Sequence, residues 1–300
     1  MFNRAINHCD RCAILFIIDC SLSMKNITRY GRTEMPKIDA AAIIVNHMIE
    51  ELLARATRYA YVRDYYDIGV IGYSGNETLS LLNNSDYERV FMNTQRIAET
   101  MPQPRSVALN VIDDDGILHR DVFNIPFWAD PVAAGASPLY DALVTTKGLI
   151  EAWCKDPKNK SCFAPIIFHI SDGLGSDAED SDVIQIANEI KALSLNGDNT
   201  ILFNVYLATL GEGEEDKGIY PDERTFATSD RDKEFMYRMS STLPLEAAED
   251  IPMLKDVYLH STRRAVSFNL SPISMLSLLS IGTQQPPQLN SECYGSMFLS

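Results

Sequence analysis

Five oxygen-bearing side chains in this sequence are spaced to hold one divalent cation. Three fall in Asp19-Cys20-Ser21-Leu22-Ser23-Met24, directly after the apolar run Ala13 to Ile18. The fourth is Ser137, in Gly135-Ala136-Ser137-Pro138-Leu139. The fifth is Asp172, in Ile170-Ser171-Asp172-Gly173, again directly after an apolar run. Two carboxylates and three hydroxyls form a hard, all-oxygen set. It suits Mg²⁺, with Mn²⁺ or Ca²⁺ as the other hard candidates, rather than Zn²⁺. In extended backbone Asp19, Ser21 and Ser23 point to the same side. A hydroxyl does not quench the charge of the ion, so the ion stays electrophilic and seeks a carboxylate from outside. Octahedral geometry leaves at least one position for water or for a partner's Glu or Asp. The competing reading is a metal-free site, because serines and aspartates also cap helices routinely.

Something must hold these residues. Ala13–Ile18, Ile68–Tyr73, Ala164–Ile170 and Ile201–Leu207 are short apolar runs bounded by turn residues, and they read as strands buried on both faces. Helical spacing separates them. Ala41, Ile44, Val45, Met48 and Leu52 predict a helix over about Asp39 to Tyr59. Leu139, Ala142, Leu143, Thr146, Leu149, Ile150 and Trp153 predict a second, and Val183, Ile186, Ala187, Ile190 and Leu193 a third. A short helix is expected at Phe235 to Ser241. Strands alternating with helices imply an α/β fold: a doubly wound, mostly parallel, Rossmann-like sheet flanked by helices. Ligand sites in such sheets lie beyond the carboxyl ends of the strands, where Asp19 and Asp172 fall.

The middle of the chain departs from that alternation. Ser106 to Ile112 and Ile117 to Ile125 flank Asp113-Asp114-Asp115-Gly116, which predicts a β-hairpin insertion over about 106–125. The triple Asp lacks the rest of an EF-hand loop and reads as a solvated turn. The hairpin leads through Phe127-Trp128-Ala129-Asp130 to Ser137, which places it close to the metal face. Gly211 to Arg224 reads as a surface loop, Val257 to His260 and Val266 to Leu270 as strands, and Gln284 to Ser300 as a flexible tail.

Taken in order, the Asp-x-Ser-x-Ser-Met ending a first strand, the later Gly-x-Ser-Pro-Leu and the later Ser-Asp-Gly resemble the von Willebrand factor type A family and its metal-ion-dependent adhesion site, MIDAS. The resemblance spans roughly residues 12 to 245. It implies a domain over 1–245 carrying the hairpin, followed by an extension over 246–300. In the family two serines bind the ion directly, the hydroxyl after the Gly does so in some states, and two aspartates act largely through water. Those roles fall on Ser21 and Ser23, on Ser137, and on Asp19 and Asp172. Two departures stand out: Ser137 replaces the usual Thr, and Cys20 and Leu22 stand where small or polar residues are common. Among family members the chain is most similar to stand-alone intracellular bacterial proteins such as the TerY-like tellurium-resistance proteins. The resemblance implies a non-enzymatic, metal-dependent protein–protein interaction module that receives a partner's Glu or Asp, in a bacterial stress or defence system beside kinases, phosphatases or ATPases. A phosphatase-like hydrolase on the same metal and a metal-free scaffold are the alternatives.

Bulk composition narrows the partners. The chain has 300 residues and a net charge of −15, which disfavours nucleic acid and anionic membrane surfaces. No apolar run approaches the ~20 residues that span a bilayer, and the amino terminus lacks a signal-peptide pattern, so a cytoplasmic location is expected. The six cysteines are then expected to be reduced, and Cys9-Asp10-Arg11-Cys12 has no second Cys or His pair to complete a zinc site. His169, inside an apolar run, reads as a hydrogen-bonded core histidine. The acidic stretch Asp177 to Asp182 is expected to cap the helix that follows it.

Overall fold

The computed structural model of the chain describes residues 6, 10–82, 90–112, 116–173, 175–211, 218–221, 226–243 and 262–268. Strand β1 (Cys12–Asp19) runs to a 3₁₀ turn at Leu22–Lys25 and then to helix α1 (Lys37–Ala56). Strands β2 (Tyr66–Ser74), β3 (Glu77–Ser80) and β4 (Phe91–Asn93) lead to the short helix α2 (Thr94–Glu99). The hairpin β5 (Arg105–Ile112) and β6 (Leu118–Ile125) precedes α3 (Leu139–Lys155). Then come β7 (Phe163–Ser171), α4 (Asp180–Ala192), β8 (Ile201–Tyr206), β9 (Gly218–Ile219), α5 (Arg231–Met239) and β10 (Val266–Phe268).

Eight strands form one sheet in the order β9-β10-β8-β7-β1-β2-β3, with β4 also on β2. The pairs β10–β8, β8–β7, β7–β1 and β1–β2 are parallel, and the outer pairs are antiparallel. This is the mixed α/β architecture expected from the alternation of strand and helix. Strand side chains alternate between faces, and β1 shows the consequence. Ile14, Phe16 and Ile18 enter a core with α1, while Leu15 and Ile17 enter a second core with α3, α4 and α5. On the α1 face an in-register row of rings crosses the sheet. Phe16 stacks on Phe168 at 5.5 Å, Phe168 on Phe203 at 5.1 Å, and Tyr220 closes the row edge-on at 6.2 Å. Each such pair adds about 0.5–1.5 kcal/mol beyond its burial. The row ties together the strands that carry Asp19 and Asp172.

Several element boundaries differ from those expected. Helix α1 starts at Lys37 and stops at Ala56, short of Tyr59. Tyr59 and Ala60 have φ of 51° and 66°, and the chain turns back there to pair Thr57–Arg58 with Tyr61–Val62. Helix α5 starts earlier than expected because Asp230 caps it, its Oδ1 accepting from the backbone N of Asp232 and Lys233. Strand β10 lies beyond residue 245, yet it pairs with β8, so the sheet draws on residues from the expected extension. The hairpin forms, but as its own two-stranded sheet outside the main one. Its tip at 113–115, the strand expected at 257–260 and the tail from 284 lie outside the described residues. No helix among the described residues is long and apolar enough to cross a membrane.

Candidate metal site at the carboxyl edge of the sheet

Three backbone segments are clamped together at the carboxyl ends of β1 and β2. Cys20 N donates to Tyr73 O at 2.9 Å, Ala134 N to Cys20 O at 2.7 Å, and Leu22 N to Gly135 O at 2.9 Å. Gly135 has φ +67°, and a Cβ there would sit 2.8 Å from Gly75 N. Only glycine lets the two loops approach this closely. The clamp delivers Ser137 to Asp19: Ser137 Oγ donates to Asp19 Oδ2 at 3.1 Å. Gly173, at φ +139°, does the same beside Asp172, where a Cβ would meet the Asp232 carboxylate at 2.7 Å.

All five oxygen-bearing residues expected from the sequence converge. Asp19 is fully buried; its Oδ1 accepts from Ser21 N at 2.7 Å, and its Oδ2 also accepts from Ser171 Oγ at 3.2 Å. Ser21 Oγ and Ser23 Oγ lie 2.9 Å apart, and Ser23 Oγ donates to Asp172 Oδ1 at 3.0 Å. Burial raises the pKa of the Asp19 carboxyl against the hydrogen bonds from Ser21, and Asp172 adds to the rise. A nearby cation would relieve that cost.

Local sequence patterns did not mark the other members of the site. Lys37, the first residue of α1, is almost wholly buried, and its Nζ meets Asp172 Oδ2 at 2.9 Å and Thr209 Oγ1 at 2.8 Å. Asp172 therefore turns one oxygen to the serines and the other to an ammonium. Asp232, from the first turn of α5, lies beside this pair; burial raises its pKa first, with Asp230 and Asp172 adding to the rise. Tyr73 leads away from the site. Its hydroxyl bonds His169 Nε2 at 2.9 Å, His169 Nδ1 bonds Asn204 Oδ1 at 2.8 Å, and Asn204 Nδ2 donates to Ser240 Oγ at 2.8 Å. Burial pulls the His169 pKa down to about 4, so the ring is neutral at physiological pH and belongs to the core, as expected.

The hydroxyls suit a small hard ion. Mg–O bonds of about 2.1 Å at right angles set neighbouring ligand oxygens about 3.0 Å apart. Ser21 and Ser23, now hydrogen-bonded to each other at 2.9 Å, already stand at about that spacing. Among the described residues no group of three or more His, Cys, Asp and Glu side chains forms a metal cage, so any ion here relies on hydroxyls. The Cys20 thiol is a poor nucleophile: burial, then Asp19, pushes it up to about 12. Asp177 does not cap the helix after it. Its carboxylate accepts from the backbone N of Tyr140 and Asp141 and so caps α3, whose Pro138 N-cap offers no side-chain bond. The loop after Asp172 thus reaches back to the helix that begins at Leu139, two residues after Ser137.

No protein-family model matches this chain, and no curated protein matches its sequence. Among solved structures it is similar to a von Willebrand factor type A protein from Catenulispora acidiphila. That match has 14% identity and a TM-score of 0.36, and covers 66% of this chain and 33% of that one. It is also similar to the pilus adhesin SpaC from Lactobacillus rhamnosus GG, at 10% identity and a TM-score of 0.41, covering 92% of this chain and 30% of that one. A third similarity is to an uncharacterized membrane spanning protein from Vibrio fischeri, at 13% identity and a TM-score of 0.25, covering 77% and 86%. The chain spans about a third of the length of the first two. The fold is established by strand order and pairing, not by these distant overlaps.

Proposed function

We propose that this chain is a metal-dependent protein-interaction module. Ser21, Ser23 and Ser137 hold a Mg²⁺-type ion, Asp19 and Asp172 stand behind them, and a carboxylate from a partner protein completes the coordination. The observation that carries this reading is the convergence of three hydroxyls and two carboxylates from three separate segments, with Ser21 and Ser23 at 2.9 Å. Neutral hydroxyls keep the ion electrophilic, and its charge attracts an acidic side chain inside a partly dehydrated site. Leu22, exposed beside the serines, gives the rim an apolar contact. The reading involves no catalysis: Cys20 is held as a thiol, and Ser23 bonds a carboxylate already paired with Lys37. By the family resemblance, the setting is the cytoplasm and a bacterial stress response.

Lys37 favours a second reading, in which its ammonium serves as the resident cation and the site works without metal. Capture of partners from the native cell in millimolar Mg²⁺ and in EDTA separates the two. The metal-dependent reading expects a partner retained only with Mg²⁺ and released by Asp19→Ala in a correctly folded chain. Equal retention in EDTA supports the metal-free reading instead.

A further inference from the structure

The opposite edge of the sheet carries a cleft of about 410 Å³, lined by Lys191, Thr200, Ser241 and Arg264 among others. Lys191 lies in the last turn of α4, and Thr200 immediately precedes β8. The Lys191 ammonium and the Arg264 guanidinium both donate to one neutral acceptor, Ser240 O, each at 3.2 Å. Two cations on one carbonyl repel each other. Burial and then Arg264 pull the Lys191 pKa down to about 8. Asp198 also lines the cleft, but no ion pair joins it to Lys191, which has no carboxylate partner among the described residues. The hydroxyls add to the picture. Thr200 is 2% exposed, and its Oγ1 has no hydrogen-bond partner. Ser241 Oγ accepts from Leu202 N, which leaves its proton to donate.

Two cations thus converge on one carbonyl beside a buried hydroxyl that has no hydrogen-bond partner among the described residues. The C-terminal ends of α4 and α5 draw cations, which accounts for the charges but not for the space or for Thr200. We propose that this cleft binds a phosphate group, as inorganic phosphate or as the monoester of a small metabolite, with Lys191 and Arg264 supplying the positive charge and Thr200 and Ser241 donating hydrogen bonds. The volume exceeds that of the anion and falls within the range of small-molecule sites, about 300–1,000 Å³, so a monoester has room for its remaining atoms. The site is independent of the metal reading and lies at the other end of the strands.

The test is calorimetric titration of the full chain with inorganic phosphate and with glycerol phosphate. Divalent metal is removed, so that neither probe can bind through an ion. Saturable millimolar binding is expected. Lys191→Met should weaken it about tenfold or more, Thr200→Val by less, and Lys191→Arg should largely retain it. Circular dichroism confirms that each variant is folded. Tighter binding of the monoester would assign the rest of the cleft to the ligand, while equal affinity would assign inorganic phosphate. No saturable binding up to tens of millimolar overturns the proposal, as does unchanged affinity in folded Lys191→Met.

Discussion

Lys37 is buried and Lys191 half-buried at opposite edges of the same sheet, and they are answered differently. Lys37 meets a carboxylate at 2.9 Å and a hydroxyl at 2.8 Å. Among the described residues Lys191 meets only a carbonyl, which it shares with an arginine. At the carboxyl edge three carboxyl groups, Asp19, Asp172 and Asp232, outnumber the one ammonium of Lys37. At the amino edge Lys191 and Arg264 line a cleft with one carboxylate, Asp198. The two ends of one parallel sheet thus gather acidic and basic side chains in opposite proportion.

The largest effect should come from breaking the compensated pair. Lys37→Met leaves Asp172 without its ammonium, and losing one partner of a buried pair costs about 3–5 kcal/mol. Urea unfolding without metal should show this loss, and millimolar Mg²⁺ should recover part of it by replacing the lost cation. A loss under about 1 kcal/mol would mean that the pair is not structural.

The second test acts on the hydrogen-bonded chain that joins the two edges, Tyr73–His169–Asn204–Ser240. The folded-state pKa of His169 is about 4, below its ordinary value of 6.5. Between those values the unfolded chain binds the proton and the folded chain does not, so stability is full above pH 6.5 and falls as the pH drops towards 4. The loss is at most about 3 kcal/mol. Denaturation midpoints measured across that window should fall for wild type and stay flatter for His169→Gln. Identical slopes would remove His169 from the account.

The smallest effect should come from Lys191→Met, within about 1 kcal/mol of wild type, because no ion pair is lost. The same urea series measures it. A cost as large as that of Lys37→Met would erase the contrast between the edges.

Much of this was legible in the sequence. Uninterrupted apolar runs separated by helical spacing implied a buried parallel sheet, and two of the motif segments follow such runs, so their meeting at one edge was predictable. Lys37 was not legible. It enters from the first turn of a helix whose apolar pattern starts later, and nothing local marks a lysine as buried. The run Asp177 to Asp182 was assigned to the helix next in sequence, and Asp180 and Asp182 do stand in its first turn, whereas Asp177 folds back onto the amino end of α3. β10 could be read as a strand, but not as a neighbour of β8, because pairing partners far apart in sequence leave no local pattern. The amino-edge cleft is built from the end of a helix, the start of a strand and two later segments, and no motif announces it.

A metal ion held by serine hydroxyls is tested most directly by a Mn²⁺ titration followed by water-proton relaxation or calorimetry. One ion per chain is expected, with affinity reduced about 10- to 100-fold in Asp19→Ala and lost when Ser21 and Ser23 are both changed to Ala. No binding in wild type at millimolar Mn²⁺, or undiminished binding in the folded double variant, would contradict it.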